Sequence, residues 1–244
     1  EFFRKLLIAD LKEEKLPHKV ICHQWQNAKD IWYNQNKGKS DSIGVERILK
    51  LILIISQFFF LGIYIRAIFG KYGKLHKHLG VELHVILKFI ISIIILTFGL
   101  YNSEASFIGI HLIKFWCYWM IFETLFYTGN LAFSEDVFAE PYSNKRNLIL
   151  IVIDYITLNL DFANLYLIKK AIQQSLNHYT FEIITKAYDA VYFSFISSLT
   201  IGYGDITPTH SGRGIVIFQS ITMLIFGVLF LNFYLSRTTN KTAN

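Results

Sequence analysis

The chain has 244 residues, of which 53% are hydrophobic, 16% aromatic and only 17% charged. This composition is too apolar for a single water-soluble core and indicates a membrane protein. The formal net charge of +6 does not indicate nucleic-acid binding, because most lysines and arginines lie beside or between apolar runs, where they anchor helix ends at a bilayer surface. Two cysteines in unrelated surroundings exclude a disulfide framework and a paired zinc motif.

The polar residues 1–46 are predicted to form a peripheral or soluble amino-terminal region, with helical character from Phe2 to Glu14. His18, Cys22 and His23 lie close together in this region. No second pair of ligands follows at a suitable spacing, so we expect no metal site there. Because the first residue is Glu rather than Met, we expect sequence to be missing upstream.

Five later stretches are long and apolar enough to cross the hydrocarbon core of a bilayer, which takes about 20 residues in helical form. Residues 47–129 contain the first three, and residues 130–146 form a linker before the last two. The predicted spans are Arg47–Phe69, Glu82–Tyr101, Phe107–Thr128, Asn147–Ile168 and Ile215–Leu235. The sequence therefore predicts an all-α, multi-pass membrane protein, with residues 237–244 as a short tail.

A shorter apolar segment, Asp189–Leu199, lies between the last two spans and is long enough to enter a membrane but too short to cross it. Thr-Ile-Gly-Tyr-Gly-Asp follows at Thr200–Asp205, and a turn containing Pro208 then leads into the last span. This order of parts resembles the pore domain of potassium channels, whose selectivity filter has the same kind of sequence. The resemblance covers residues 147–236 and implies a re-entrant pore helix followed by a filter.

The resemblance implies that K⁺ is the permeant ion and that it is held by the backbone carbonyls of Thr200–Gly204. These oxygens replace the water shell that the ion loses. Gly202 and Gly204 allow the left-handed backbone conformations that turn successive carbonyls toward one axis. Thr200 adds a hydroxyl at the inner end, and Asp205 places a carboxylate at the outer mouth. A ring of carbonyls requires closure around the ion, so the resemblance implies a homotetramer.

The residues that support the filter depart from the pattern of many family members. Leu199 stands where many members have a second threonine, so a hydroxyl behind the filter is lost. Ile201 and Tyr203 are expected to point away from the axis and to wedge the filter strand against its surroundings.

Aromatic residues of the pore helix depart from the pattern as well. Tyr192 and Phe193 stand where many members carry two tryptophans. Phe193 offers no donor to the hydroxyl of Tyr203, although Ser197 is placed to bond it. From its spacing, Tyr192 is expected to reach Asp205.

Membrane topology follows from the expectation that the filter faces outward. The loop Tyr72–Gly80 is then cytoplasmic, in agreement with its lysines, and the turn Asn102–Ser106 is outside. Counting the predicted crossings backwards from the filter places residues 1–46 outside, although they are rich in lysine. Two explanations are open: an upstream span is missing, or the first apolar segment does not cross fully. No span carries arginine at every third position, so we expect no conventional voltage gating.

Ionisable residues inside the spans are costly unless they pair or face protein. The number of residues between each ionisable residue and the end of its span predicts two layers, in which side chains of neighbouring helices pair. The inner layer contains Lys88, Glu123 and Asp154, and the outer layer contains His111, Lys114 and Asp161. Structural pairing is the favoured interpretation; the alternative is that the Asp154 layer couples the first spans to the pore in response to pH or a ligand.

The gate is predicted in the last span. Gly227 is a candidate hinge, although helix packing explains it equally well. Asn232 is expected to face the inner cavity, and Phe230, Phe233 and Tyr234 are candidates for an apolar constriction that closes by dewetting.

These features predict a passive potassium channel of a plasma membrane, surrounded by bilayer lipid and without an organic cofactor. The alternative is a membrane signalling or effector protein that uses a channel-like pore as its output, with a regulatory ligand or partner still to be identified. No set of residues spaced for catalysis or phosphate binding can be assembled, so we do not expect an enzyme.

Overall fold

The computed structural model describes residues 20–33, 44–98, 107–133, 144–177 and 180–242. The chain forms two compact units, one of residues 1–86 and 126–150 and the other of residues 87–125 and 151–244. The predicted helical character of Phe2–Glu14 and the turn Asn102–Ser106 lie outside the described residues.

Helices dominate the described residues, as the composition predicts. They are α1 (Val20–Tyr33), α2 (Val45–Ser56), α3 (Leu61–Gly70), α4 (Lys74–Thr97), α5 (Phe107–Phe133), α6 (Asn144–Ile168), α7 (Ala187–Ser198) and α8 (Arg213–Thr242), with a short 3₁₀ helix at Gln57–Phe59. The last helix continues through most of the segment predicted as a short tail.

Three helical segments within the described residues are long and apolar enough to cross a membrane: His76–Thr97, Lys145–Ile168 and Arg213–Leu231. A fourth crossing is counted if α2 and α3 together make one span. Helix α5 is long, but Lys114 and Glu123 lower its mean hydropathy and it falls outside this group. The chain is therefore an integral, multi-pass membrane protein. That it has five spans stays a prediction.

The first predicted span, Arg47–Phe69, is not one straight helix. Helices α2 and α3 are bent by 72° relative to each other, because Phe60 adopts an extended backbone with φ −103° and ψ 151°. Helix ends leave carbonyl groups without partners, and side chains satisfy two of them here. Tyr64 Oη donates to the carbonyl of Phe58 at 2.8 Å, and Asn130 Nδ2 donates to the carbonyl of Leu53 at 2.9 Å.

Within the first unit, α1 packs against the bent segment. Ala28 and Ile31 of α1 form a small buried cluster with Ile54 of α2. The ring of Trp25 meets Phe58 edge to face at 6.0 Å between centroids. Part of the region predicted as peripheral thus has apolar contacts with the membrane-inserting segment.

A three-stranded antiparallel sheet in the second unit was not predicted. Strands β1 (Ile172–Asn177), β2 (Thr180–Ile183) and β3 (Ile206–Pro208) lie in the order β2-β1-β3. Strand β3 directly follows Thr200–Asp205, so pairing of Gln174 with Ile206 fixes the outer end of that segment. A β-carbon at Gly212 would lie 2.0 Å from the carbonyl oxygen of Ala171, which explains the glycine at this turn.

Candidate functional site

Helix α7 ends just before the candidate filter segment, Thr200–Asp205. Its 12 residues correspond to about 18 Å of helix, which is roughly half of what a bilayer core requires. At its end, the N–H of Ile201 donates to the carbonyl of Ile196 at 2.9 Å and the N–H of Thr200 to that of Ser197 at 3.2 Å. This pair of bonds is the Schellman arrangement that ends many helices, in which the residue at the position of Thr200 is left-handed.

The backbone of Thr200–Asp205 alternates in handedness. Thr200, Gly202 and Gly204 have φ of 57°, 58° and 81°, and the residues between them do not have positive φ. Threonine is β-branched and rarely adopts this conformation, so its presence at the end of the Schellman turn marks a constrained site. Its hydroxyl donates to the carbonyl of Leu199 at 2.7 Å. Alternating conformations of this kind direct successive carbonyl groups to the same side of the strand.

Tyr192 connects α7 to the carboxy-terminal end of the candidate filter segment. Its hydroxyl donates to Asp205 Oδ2 at 2.9 Å, and this hydrogen bond is the main reason why the pKa of Tyr192 is raised above its ordinary value. Its ring lies parallel to that of Tyr203, with 6.5 Å between centroids and an interplanar angle of 2°. One side chain of α7 therefore contacts both the side chain and the end of the filter segment.

The other predicted supports take different positions. Phe193 is buried and meets Tyr166 of α6 edge to face at 5.0 Å. Within the described part of one chain, Ser197 forms no hydrogen bond with Tyr203, and the predicted contact stays a prediction. The carbonyl of Ser197 instead accepts the Schellman bond from Thr200. Leu199 caps α7 and is exposed on the single chain.

A buried polar network that the sequence did not predict lies behind α7. Gln219 Nε2 of α8 donates to Ser194 O at 2.9 Å and to Ser194 Oγ at 3.0 Å. Ser194 Oγ donates to Asn159 O at 2.8 Å, and Tyr166 Oη donates to Gln219 Oε1 at 2.5 Å. All four residues are buried. Polar residues within apolar stretches are costly without partners. The polar side chains of Asn159 and Gln219 within apolar stretches could therefore have indicated a buried network.

This network links the three helices of the candidate pore domain. Asn159 and Tyr166 belong to α6, Ser194 to α7 and Gln219 to α8. Buried, fully bonded networks of this type fix a unique packing arrangement. Hydrogen bonds to Asn159 and Gln219, and not apolar contacts alone, therefore hold the face of α7 that carries Ser194.

The residues of the predicted inner charge layer lie together. Lys88 Nζ contacts Asp154 Oδ1 at 3.1 Å, with both side chains almost fully buried at 3% and 1% exposure. Lys88 Nζ also donates to Thr124 Oγ1 at 3.0 Å. Glu123 is buried and interacts electrostatically with Lys88. This layer joins α4, α5 and α6 within the second unit.

In the predicted outer charge layer, the hydrogen-bond partner of Asp161 Oδ1 is a hydroxyl group and not a cation. Asp161 is buried, but its partner is Ser92 Oγ, which donates to Asp161 Oδ1 at 2.5 Å. His111 is exposed and Lys114 is half-buried, and among the described residues Asp161 forms no ion pair with Lys114. Counting depth along spans did not identify the helix face on which each residue lies, and Asp161 faces α4.

The candidate gate residues all lie in α8. Gly227 and Phe230 are half-buried, and a β-carbon at Gly227 would meet nothing within 4 Å. The side chains of Asn232, Phe233 and Tyr234 lie outside the described part of the chain. Their roles, like the hinge at Gly227, stay predictions.

Residues 162–240 match the family model described as an ion channel. The match extends from the end of α6 through the sheet, α7 and the filter segment into α8. Comparison with curated proteins and with solved structures gives no match. The carboxy-terminal part of the chain is thus similar to an ion-channel domain, which supports a channel rather than an enzyme.

Proposed function

We propose that the chain is one subunit of a homotetrameric channel that conducts K⁺ passively and selectively. The observation that carries this proposal is the alternating backbone at Thr200, Gly202 and Gly204, placed directly after a helix too short to cross the membrane. K⁺ would be held at the carbonyls of Thr200–Gly204, with Asp205 at the outer mouth. Selectivity requires oxygens that replace the hydration shell of K⁺ better than that of Na⁺.

Exposed side chains around the filter support assembly of several copies. Leu199, Ile201 and Tyr203 are 55%, 49% and 69% exposed on the single chain. Large apolar side chains grouped in this way indicate a surface that another molecule covers. Neighbouring copies around a common axis would bury them and complete each ring of carbonyls, and lipid would cover the outer helices.

Reversal potentials test the proposal directly. With the purified chain in planar bilayers, K⁺ on one side and Na⁺ on the other, we expect a reversal potential close to the K⁺ equilibrium value and block by external barium. The same recordings should show an open probability that changes little with voltage, because no described helix carries arginine at every third position. Barium-sensitive current that reverses near zero would contradict K⁺ selectivity.

The alternative class is a membrane signalling or effector protein for which the pore is an output. The buried charge layer of Lys88 and Asp154 favours it, since such a layer has no part in conduction. A liposome flux assay with the purified chain distinguishes the two. Flux without any added partner supports an autonomous channel, and silent vesicles containing folded protein support the alternative.

Tyr192 provides a test of filter support. Tyr192→Phe removes the donor to Asp205 but keeps the ring that stacks on Tyr203, so we expect K⁺ selectivity to persist while the current declines faster during sustained opening. The phenylalanine variant loses only the hydrogen bond that joins α7 to the end of the filter segment. Tyr188→Phe is the matched control, because Tyr188 is an exposed tyrosine of the same helix. Equal rates of decline in both variants would contradict a supporting role for the hydrogen bond.

A further inference from the structure

Two buried oxygen atoms on α6 have no hydrogen-bond partner in the described part of the chain. They are Asp161 Oδ2 and Asn164 Oδ1, and their side chains are 1% and 0% exposed. The residues lie three apart, on one face of the helix. Neither atom plays a part in the network behind the filter or in the contact between Lys88 and Asp154.

Ser92 of α4 holds both side chains in place. Its hydroxyl donates to Asp161 Oδ1 at 2.5 Å, and its carbonyl accepts a bond from Asn164 Nδ2 at 3.1 Å. The second bond fixes the orientation of the amide, because a carbonyl accepts only from the nitrogen end. Asn164 Oδ1 is therefore an acceptor, and two acceptors on one face lack a donor. A buried acceptor without a donor is destabilising, because it has lost its hydrogen bonds to water and gained none in return.

Asp161 also shares its nearby cation with other carboxyl groups. It interacts electrostatically with Lys88 of α4 and with the thiol of Cys117 of α5. Lys88 already contacts Asp154 and interacts with Glu123 as well. Asp161 therefore shares the ammonium group of Lys88 with Asp154 and Glu123. Burial in a medium of low dielectric constant disfavours the charged form of a group that lacks its own counterion.

We propose that Asp161 and Asn164 form a proton-binding site within the membrane, with the proton on Asp161 Oδ2 donated toward Asn164 Oδ1. A single proton supplies the donor that both oxygens lack and removes the negative charge of Asp161. Asp161 Oδ1 remains free to accept the bond from Ser92. A bound Na⁺ would remove the same charge, but an alkali cation needs several oxygen ligands and only two are unpartnered here.

Infrared spectroscopy of the full chain in lipid nanodiscs tests the site without relying on conduction. The parent protein at neutral pH should show the carbonyl stretch of a protonated carboxylic acid, shifted in D₂O. Asp161→Asn should lack this band and keep the thermal stability of the parent, because its amide donates to Asn164 in place of the carboxylic acid. Asp154→Asn is the matched control on the same helix and should retain the band.

A second variant keeps the test decisive if Asp161→Asn does not fold. Asn164→Leu removes the acceptor, so the band should move to higher frequency as the O–H group loses its hydrogen bond. Identical spectra for the parent and Asp161→Asn would overturn the proposal, since Asp161 would then be ionised. Stabilisation by Na⁺ relative to choline that is lost in Asp161→Asn would also overturn it and would indicate a cation site.

One consequence rests on the proposed channel function. Release of the proton places a negative charge on the helix that also carries Asn159 of the network behind the filter. K⁺ current through the parent should therefore change at alkaline pH, and current through Asp161→Asn should not. An infrared band without K⁺ current would refute the channel alone, and a pH-insensitive K⁺ current without the band would refute the proton site alone.

Discussion

Gly204→Ala should abolish selective K⁺ conduction while leaving the protein folded and inserted. The φ of Gly204 is 81°, and an L-residue in a left-handed conformation costs about 1–2 kcal/mol. A β-carbon at this position would meet nothing within 4 Å, so the expected effect comes from the backbone and not from a clash in the chain. Four copies in one ring would raise the cost to roughly 4–8 kcal/mol.

Gly202→Ala should have the same direction of effect, because its φ is 58°. The permeability ratio of K⁺ to Na⁺, obtained from reversal potentials, is the measurement. We expect it to fall by about tenfold or more, since ~1.4 kcal/mol changes an equilibrium tenfold. A collapse of all current would agree with the same strain.

Gly214→Ala is the matched control for both variants. Gly214 lies in α8, has no positive φ, and offers the same open space to a β-carbon. Its replacement should leave the permeability ratio within experimental error of the parent. If the filter variants keep the ratio of the parent, the alternating backbone is not the selective element.

The local part of the site was predictable from the sequence. A short helix was predicted at Asp189–Leu199 and forms at Ala187–Ser198, because its length and the following Gly-x-Gly segment are local features of the sequence. The left-handed conformation of Thr200 was not predicted. It follows from the Schellman turn that ends α7, and threonine gives no sign of such a conformation.

Tertiary features were harder to predict, for physical reasons. Phe60 itself is neither the glycine nor the proline expected at a helix interruption, and the carbonyl of Leu53 before the break is satisfied by the distant Asn130. The three-residue strand β3 exists through its pairing with β1, and no pattern within three residues indicates a strand. The network of Ser194 and Gln219 requires knowledge of which helix faces meet.

The two charge layers were only partly predictable from the sequence. Depth counting placed Lys88 and Asp154 at matching levels, and they are in contact. It also placed Asp161 level with Lys114, yet Asp161 contacts Ser92. Depth depends on the position of a residue along one helix and is readable from sequence, whereas the facing direction depends on the packing of several helices.

Lys88→Met should destabilise the protein more than Asp154→Asn does. Methionine removes the ammonium group that contacts Asp154, and breaking a buried pair from one side costs roughly 3–5 kcal/mol. Asparagine at position 154 leaves Lys88 bonded to Thr124 and close to Glu123, so we expect a cost of about 1–3 kcal/mol, that of a weakened hydrogen bond. The midpoints of unfolding in one detergent provide the comparison.

An exposed pair supplies the control for this asymmetry. Lys50 and Glu46 are four residues apart on α2. Lys50 Nζ lies 2.6 Å from Glu46 Oε1, and the side chain of Glu46 is 54% exposed. Glu46→Gln should change stability by no more than about 0.5 kcal/mol. Equal effects of Lys88→Met and Asp154→Asn would contradict a cation shared among several carboxyl groups.

The double variant Lys88→Met with Asp154→Leu separates a structural role from a sensing role. Replacing a buried ion pair by apolar residues is often neutral or stabilising, so stability should recover relative to Lys88→Met alone. If the open probability then equals that of the parent across pH, the layer serves packing. If stability recovers and the pH response of the current is lost, the charges themselves transmit a signal to α6, because the packing around them has been restored without them.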